Sequence, residues 1–219
     1  MKRILLALAL SATAALGQDA SALRLKAIKN APFSAQVQTE TTQSLPDGNR
    51  MTRTTSATIA RDSEGRTRRE QTGTGIVFIY DPIQGLASVI DTRARTVRQF
   101  AIPSDETKST SPLGAVALGW DILEGLLVEG TRLTRQVAAG ESGNKKSIEV
   151  TSETWYSADL QSVLMSKGFD PRVGETTYKL TNIQRGEPSH VLFAVPEDYT
   201  IRDEPLALDS RSVEKSKSK

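Results

Sequence analysis

The single histidine, His190, directly follows Ser189. A hydroxyl and an imidazole are the ingredients of nucleophilic catalysis. They work together when separate segments bring them into hydrogen-bonding geometry, which immediate neighbours in sequence do not achieve. The chain has no Gly-x-Ser-x-Gly elbow to strain a serine into position. An exposed histidine on a loop or short helix is therefore expected. Gly140 to Ser147 (GESGNKKS) has the look of a phosphate loop, but Lys145 stands where the second glycine is needed. The stretch also joins two strand patterns, whereas a phosphate loop joins a strand to a helix, so a hairpin tip is expected. Glu149 and Glu153 read as solvated charges on a strand. An acid pair of the glycosidase kind needs two carboxylates ~5–9.5 Å apart in a cleft. The absence of cysteine excludes disulfides, thiolate nucleophiles, zinc-thiolate sites and an acylated lipoprotein cysteine. One histidine excludes a multi-histidine metal cage. No catalytic residue, metal ligand or cofactor is assigned, and a secreted hydrolase ranks last among the functional readings.

Two other groups of residues invite a binding role. Nine arginines stand against five acidic residues between positions 50 and 100. Arg66, Arg68, Arg69, Arg93 and Arg95 could form a strip for an anionic partner such as a phospholipid headgroup or lipopolysaccharide. The alternative is that charged side chains line polar sheet faces and edges, where they resist edge-to-edge pairing. Ile76, Phe78, Tyr80, Trp120, Trp155, Leu164 and Phe193 could line a hydrophobic hollow, or could be plain core.

These residues have to be positioned by a chain of 219 residues, 37% hydrophobic and 5% aromatic. Its first 17 residues read as an export signal: Lys2 and Arg3, an apolar run from Ile4 to Leu16, and small residues Ala15 and Gly17 before Gln18. The run is too short to span a bilayer, which takes ~20 residues, and no integral membrane span is expected. Removing the signal leaves 26 charges of each sign, so a basic footprint for nucleic acid is absent. Residues 18–205 are expected to form a single β-rich domain, with 206–219 as a disordered polar tail. Pro103 to Pro112 reads as a loop.

Between these stretches the period is two. Phe33 to Gln38 alternates apolar and polar residues, as a half-buried strand does. Turn chemistry recurs at Pro46-Asp47-Gly48-Asn49, Asp62 to Gly65, Asp81-Pro82, Asp91 to Arg93 and Asp170-Pro171-Arg172. Strands are expected at 51–60, 66–71, 76–80, 86–90, 96–102, 126–137, 146–156, 160–167 and 175–184. Ile76 to Tyr80 is continuously apolar and is expected to be covered on both faces. Within Ser147 to Tyr156, Ile148, Val150 and Tyr156 fall on one face and Trp155 on the other. Helix signals are confined to Gln18–Lys29 and to one turn at Ser189–Phe193. Turns spaced every 8–12 residues indicate an antiparallel meander.

Several segments resemble exported proteins of soil bacteria such as the Acidobacteria. They are NAPFSAQVQTETTQSLPDGNR (Asn30 to Arg50), RDSEGRTRRE (Arg61 to Glu70), IYDPIQGLASVIDTRARTVR (Ile79 to Arg98), ILEGLLVEGTRLTR (Ile122 to Arg135), SETWYSADLQSVLMSK (Ser152 to Lys167) and GETTYKLTNIQRGEPSHVLFAVPEDY (Gly174 to Tyr199). That group supplies no activity to carry over. Glu124-Gly125, Trp155 to Leu160 (WYSADL) and Phe193 to Tyr199 (FAVPEDY) are also similar to segments of the lipoprotein-carrier superfamily of LolA, LolB and the sigma-E regulator RseB. This resemblance implies a mainly β fold: a single strongly curved antiparallel sheet, a half-barrel, with one or two short helices. In the superfamily the hollow receives acyl chains or serves as a protein-binding scaffold. The carriers have helical plugs, and this chain shows little helix. The expected protein is exported, periplasmic or secreted, and not an enzyme. Its expected partners are a lipid or lipidated ligand in the hollow or, alternatively, an envelope protein that it senses or binds.

Overall fold

The computed structural model describes residues 28–45, 47–102, 114–141 and 143–202. The expected signal (1–17), the tail (206–219), the loop Pro103–Pro112 and nearly all of the helix signal at Gln18–Lys29 lie outside the described residues.

Among the described residues twelve strands form one sheet: β1 (Phe33–Ser44), β2 (Arg50–Arg61), β3 (Thr67–Gln71), β4 (Ile76–Asp81), β5 (Leu86–Asp91), β6 (Thr96–Ala101), β7 (Val116–Leu123), β8 (Leu126–Val137), β9 (Ile148–Ser157), β10 (Ser162–Asp170), β11 (Gly174–Arg185) and β12 (Thr200–Ile201). Their spatial order is β12-β6-β5-β4-β3-β2-β1-β11-β10-β9-β8-β7. Two meanders therefore meet where β1 pairs antiparallel with β11, in a register from Phe33 opposite Arg185 to Thr42 opposite Glu175. The ends of the order, β12 and β7, do not pair with each other. The sheet is open.

It is also strongly curved. In a flat sheet β8 would lie four strand spacings from β1, roughly 19 Å away at ~4.8 Å per spacing. Yet Leu126 and Val128 of β8 share one buried cluster with Phe33, Ala35 and Val37 of β1, Ala57 of β2, Leu164 of β10 and Leu180 of β11. Only a curled sheet brings those strands together. Bulges at Ser34/Gln36, Ala117/Gly119 and Val163/Met165 interrupt the ladders and increase local bend and twist.

The hairpins of the first meander form for local reasons. The carboxylates of Asp81 and Asp91 each accept two backbone N–H bonds within their own turns, from Ile83 and Gln84 and from Arg93 and Ala94, at 2.9–3.0 Å. A short carboxylate thus substitutes for a backbone turn bond. Asp170 accepts the Arg172 N–H in the same way at 2.9 Å.

Register fixes the faces of this meander. Ala35 lies opposite Ile59, Ile59 opposite Arg69, and Arg69 opposite Phe78. Ile76, Phe78 and Tyr80 therefore share a face with the main core, while Val77 and Ile79 point the other way. Val77 and Ile79 are buried with Ile90 and Val97 in a second cluster, covered by Val195 and Tyr199. The chain after β11 supplies that cover by crossing the sheet as a strap. It contains a single 3-10 turn, His190–Phe193, at the predicted place, and ends as β12 alongside β6 in parallel. The continuous apolar run Ile76–Tyr80 is buried on the strapped face and only half-buried on the other.

Candidate functional site

Arg61, at the end of β2, is 5% exposed. Its Nε and Nη2 donate to the Ala31 carbonyl at 3.0 and 2.8 Å. Nη2 also donates to the Leu160 carbonyl, and Nη1 makes a long 3.5 Å contact with that of Gln161. The guanidinium lies 4.8 Å from the centre of the Phe33 ring, within cation–π range. Register forces this stacking, since Phe33 and Arg61 are directly opposed on β1 and β2. Every partner is a neutral carbonyl or an aromatic face; no carboxylate pairs with Arg61 among the described residues. Burial pushes its pKa down from the ordinary arginine value, against a smaller upward pull from Tyr156.

Arg61 forms part of the wall of a half-open cleft of about 160 Å³, together with Ile28, Phe33, Ile59, Tyr80 and Ser162. Small-molecule sites typically hold ~300–1,000 Å³, so a ligand here has to be slender or to extend onto the neighbouring sheet face. The lining is mostly hydrocarbon and aromatic, and burial raises the pKa of the Tyr80 phenol. Beside the cleft, Gly65 has φ +91°, and a Cβ there would meet the Ile28 carbonyl oxygen at 3.0 Å. Glycine is required for the chain to pass so closely. The row Ile76, Phe78, Val89 and Phe100 extends the same sheet face and is half-buried.

The proposed lining residues do not converge on one place. Tyr80 lies in the cleft wall, with Phe78 and Ile76 on its face. Leu164 is fully buried in the main core, and Trp155 is partly buried against it, whereas Tyr156 is exposed. Phe193 belongs to the strap, on the opposite face of the first meander, with the Arg66 guanidinium 5.3 Å from its ring centre. Trp120 is 65% exposed on the edge strand β7. The sequence reading missed Arg61, because nothing local distinguishes it from its neighbours. It also missed β7, whose alternation is broken by Gly119 at φ +94° and by a bulge.

The arginines are dispersed and mostly paired. Arg66 bonds the buried Asp62 and reaches Glu64 at 3.2 Å. Arg68 pairs with Glu70 at 2.8 Å and donates to the Leu192 carbonyl at 3.2 Å. Arg69 lies between Ile59 and Phe78 on the core-side face. Arg93 donates to the Gly73 carbonyl, and Arg95 pairs with Asp198 at 2.7 Å. Several of these contacts hold the strap and the turns. His190 is exposed at the start of the 3-10 turn. Glu153 pairs with Arg132, and Glu149 accepts from Gln136 at 2.9 Å. Among the described residues there is no cluster of three His, Cys, Asp or Glu that could hold a metal. No described helix is long and apolar enough to cross a membrane.

Fold and cleft define a curled, open antiparallel sheet with an apolar recess. No family model matches the chain, and no curated protein matches it either. Among solved structures, an uncharacterized conserved protein from Thermus thermophilus aligns over 89% of this chain and 99% of its own, at 13% identity and TM-score 0.51. That likeness shows the fold alone. The MucA/MucB complex of Pseudomonas aeruginosa aligns over 78% of this chain and 58% of that one, at 11% identity and TM-score 0.47. A LolA superfamily protein from Nitrosomonas europaea aligns over 84% and 97%, at 8% identity and TM-score 0.26. Both are weaker likenesses, and nothing about this chain rests on them.

Proposed function

We propose that this is an exported, non-enzymatic binding protein of the cell envelope, periplasmic or secreted, that holds a lipidic or other hydrophobic ligand against the inner face of its sheet. The observation that carries the reading is the cleft at Phe33, Ile59 and Tyr80, continuous on one face with the half-buried row Ile76, Phe78, Val89 and Phe100. Covering ~300 Å² of acyl chain there would contribute about 7 kcal/mol before association costs. The export pattern at residues 1–17 supports a location outside the cytoplasm. Native mass spectrometry and lipid extraction of protein purified from the envelope test the reading. A bound lipid, or a rise in melting temperature with added lipid, is expected. Consistently empty protein with no thermal shift overturns it.

A second reading, as a protein-interaction module of the envelope, is favoured by the edge at β7. Trp120, Ile122 and Leu127 are 65%, 68% and 56% exposed. The register sets Ile122 against Leu127 and Trp120 against Glu129, so the three side chains form one apolar patch beside a strand edge that pairs with no further strand among the described residues. Patches of this kind mark interaction sites. Crosslinking in the native envelope tests it, and the absence of any partner joined through β7 would rule it out.

A further inference from the structure

We infer that the cleft takes a single-chain amphiphile with an anionic head, of the fatty-acid class, and that Arg61 receives the head. The inference rests on the hydrophobic-ligand reading and goes further, since that reading alone is indifferent to the headgroup. Arg61 is a buried cation whose described partners are only carbonyl oxygens and the Phe33 ring. A buried charge without a counter-charge is costly unless something supplies one. Three of its N–H groups bond the carbonyls of Ala31 and Leu160. Nη1 has only its long contact with Gln161, which leaves one N–H with no acceptor among the described residues. The fold places this cation in the wall of a cleft lined mainly by Phe33, Ile59, Ile28 and Tyr80, with Thr67 and Ser162 beside them. One charged donor group bordering an apolar recess complements a molecule with one anionic end and a hydrocarbon remainder. A neutral ligand would leave the charge uncompensated. A diacyl phospholipid would have to lay its second chain outside the cleft, on the half-buried row beyond Tyr80.

Isothermal titration calorimetry with dodecanoate, dodecanol and dodecylammonium, each below its micellar concentration, separates the possibilities. Dodecanoate is expected to bind about tenfold to a hundredfold more tightly than dodecanol, the range for one hydrogen bond to a charged group. Dodecylammonium is expected to bind most weakly. Arg61→Met is expected to erase the difference between acid and alcohol, and Arg61→Lys to restore part of it, with folding checked by circular dichroism. If the Met variant does not fold, the comparison of ligands on the unaltered protein still decides. Equal affinity for acid and alcohol overturns the role of Arg61 and leaves hydrophobic binding standing. Failure of all three to bind overturns both.

Discussion

Trp155 on β9 faces Gly130 on β8 in register, and the contact is close enough to make Gly130→Ala an informative change. A Cβ at position 130 would lie 2.6 Å from Cζ3 of the indole and 2.8 Å from Cε3 and Cη2. Carbon–carbon contacts prefer ~3.5–4.0 Å, so the ring must retreat by roughly 1 Å. It has little room, because it packs against the main core. Overpacking of this kind costs about 1–3 kcal/mol. For a chain of this size that lowers the melting temperature by ~2–12 °C, at ~2–4 °C per kcal/mol. The assay is thermal unfolding by circular dichroism combined with tryptophan emission. It is done in a Trp120→Phe background, so that Trp155 is the only indole of the two in the chain. The expected result is a lower melting point and a red-shifted emission. Gly119→Ala is the comparator: its Cβ would meet nothing within 4 Å, but φ is +94°. It should be destabilised by backbone strain while leaving the emission unchanged. If Gly130→Ala melts within about 1 °C of its parent with identical emission, the packing described for Trp155 is wrong.

Leu164→Ala should cost about 2–5 kcal/mol by opening a cavity in the main core, measured by urea denaturation. Trp120→Glu should leave stability within about 0.5 kcal/mol, as exposed positions do, while abolishing any β7-dependent crosslink. Arg172 grips Asp170 with two bonds, Nε at 2.9 Å and Nη2 at 2.6 Å, and this side-chain bonding holds the carboxyl below its ordinary value of 3.8. A depressed carboxylate contributes stability that is full above the unfolded pKa and fades as pH falls through the folded one. The stability gap between the unaltered protein and Asp170→Asn should therefore be constant from pH 7 to about 5 and close below about pH 4. A gap that widens on acidification would contradict this pairing.

Strand positions and hairpins were legible in the chain because their causes are local. Alternation in β1, the carboxylate turns at Asp81, Asp91 and Asp170, and the full span of β8 all arise within a dozen residues. The 3-10 turn after Pro188 was readable for the same reason. The sites were less legible. Alternation puts Trp155 and Tyr156 on opposite faces, as the structure does, but alternation alone does not say which face is buried. Arg66 and Arg68 looked like a surface strip, yet their partners are Asp62, Glu70 and a strap that arrives more than 120 residues later.

What the sequence determined by itself was a run of antiparallel ribbons with an export signal pattern and no catalytic constellation. Tertiary structure alone decided that β1 would pair with β11, that the sheet would curl until Leu126 met Phe33, and that the C-terminal segment would cover the opposite face of the first meander. The physical reason is distance along the chain. A turn is selected by the residues it contains. A pairing between residues 135 positions apart, such as Thr41 and Thr176, is selected by the apolar area that both meanders bury together. The burial of Arg61 is a product of that second kind of choice, and so is the cleft it borders.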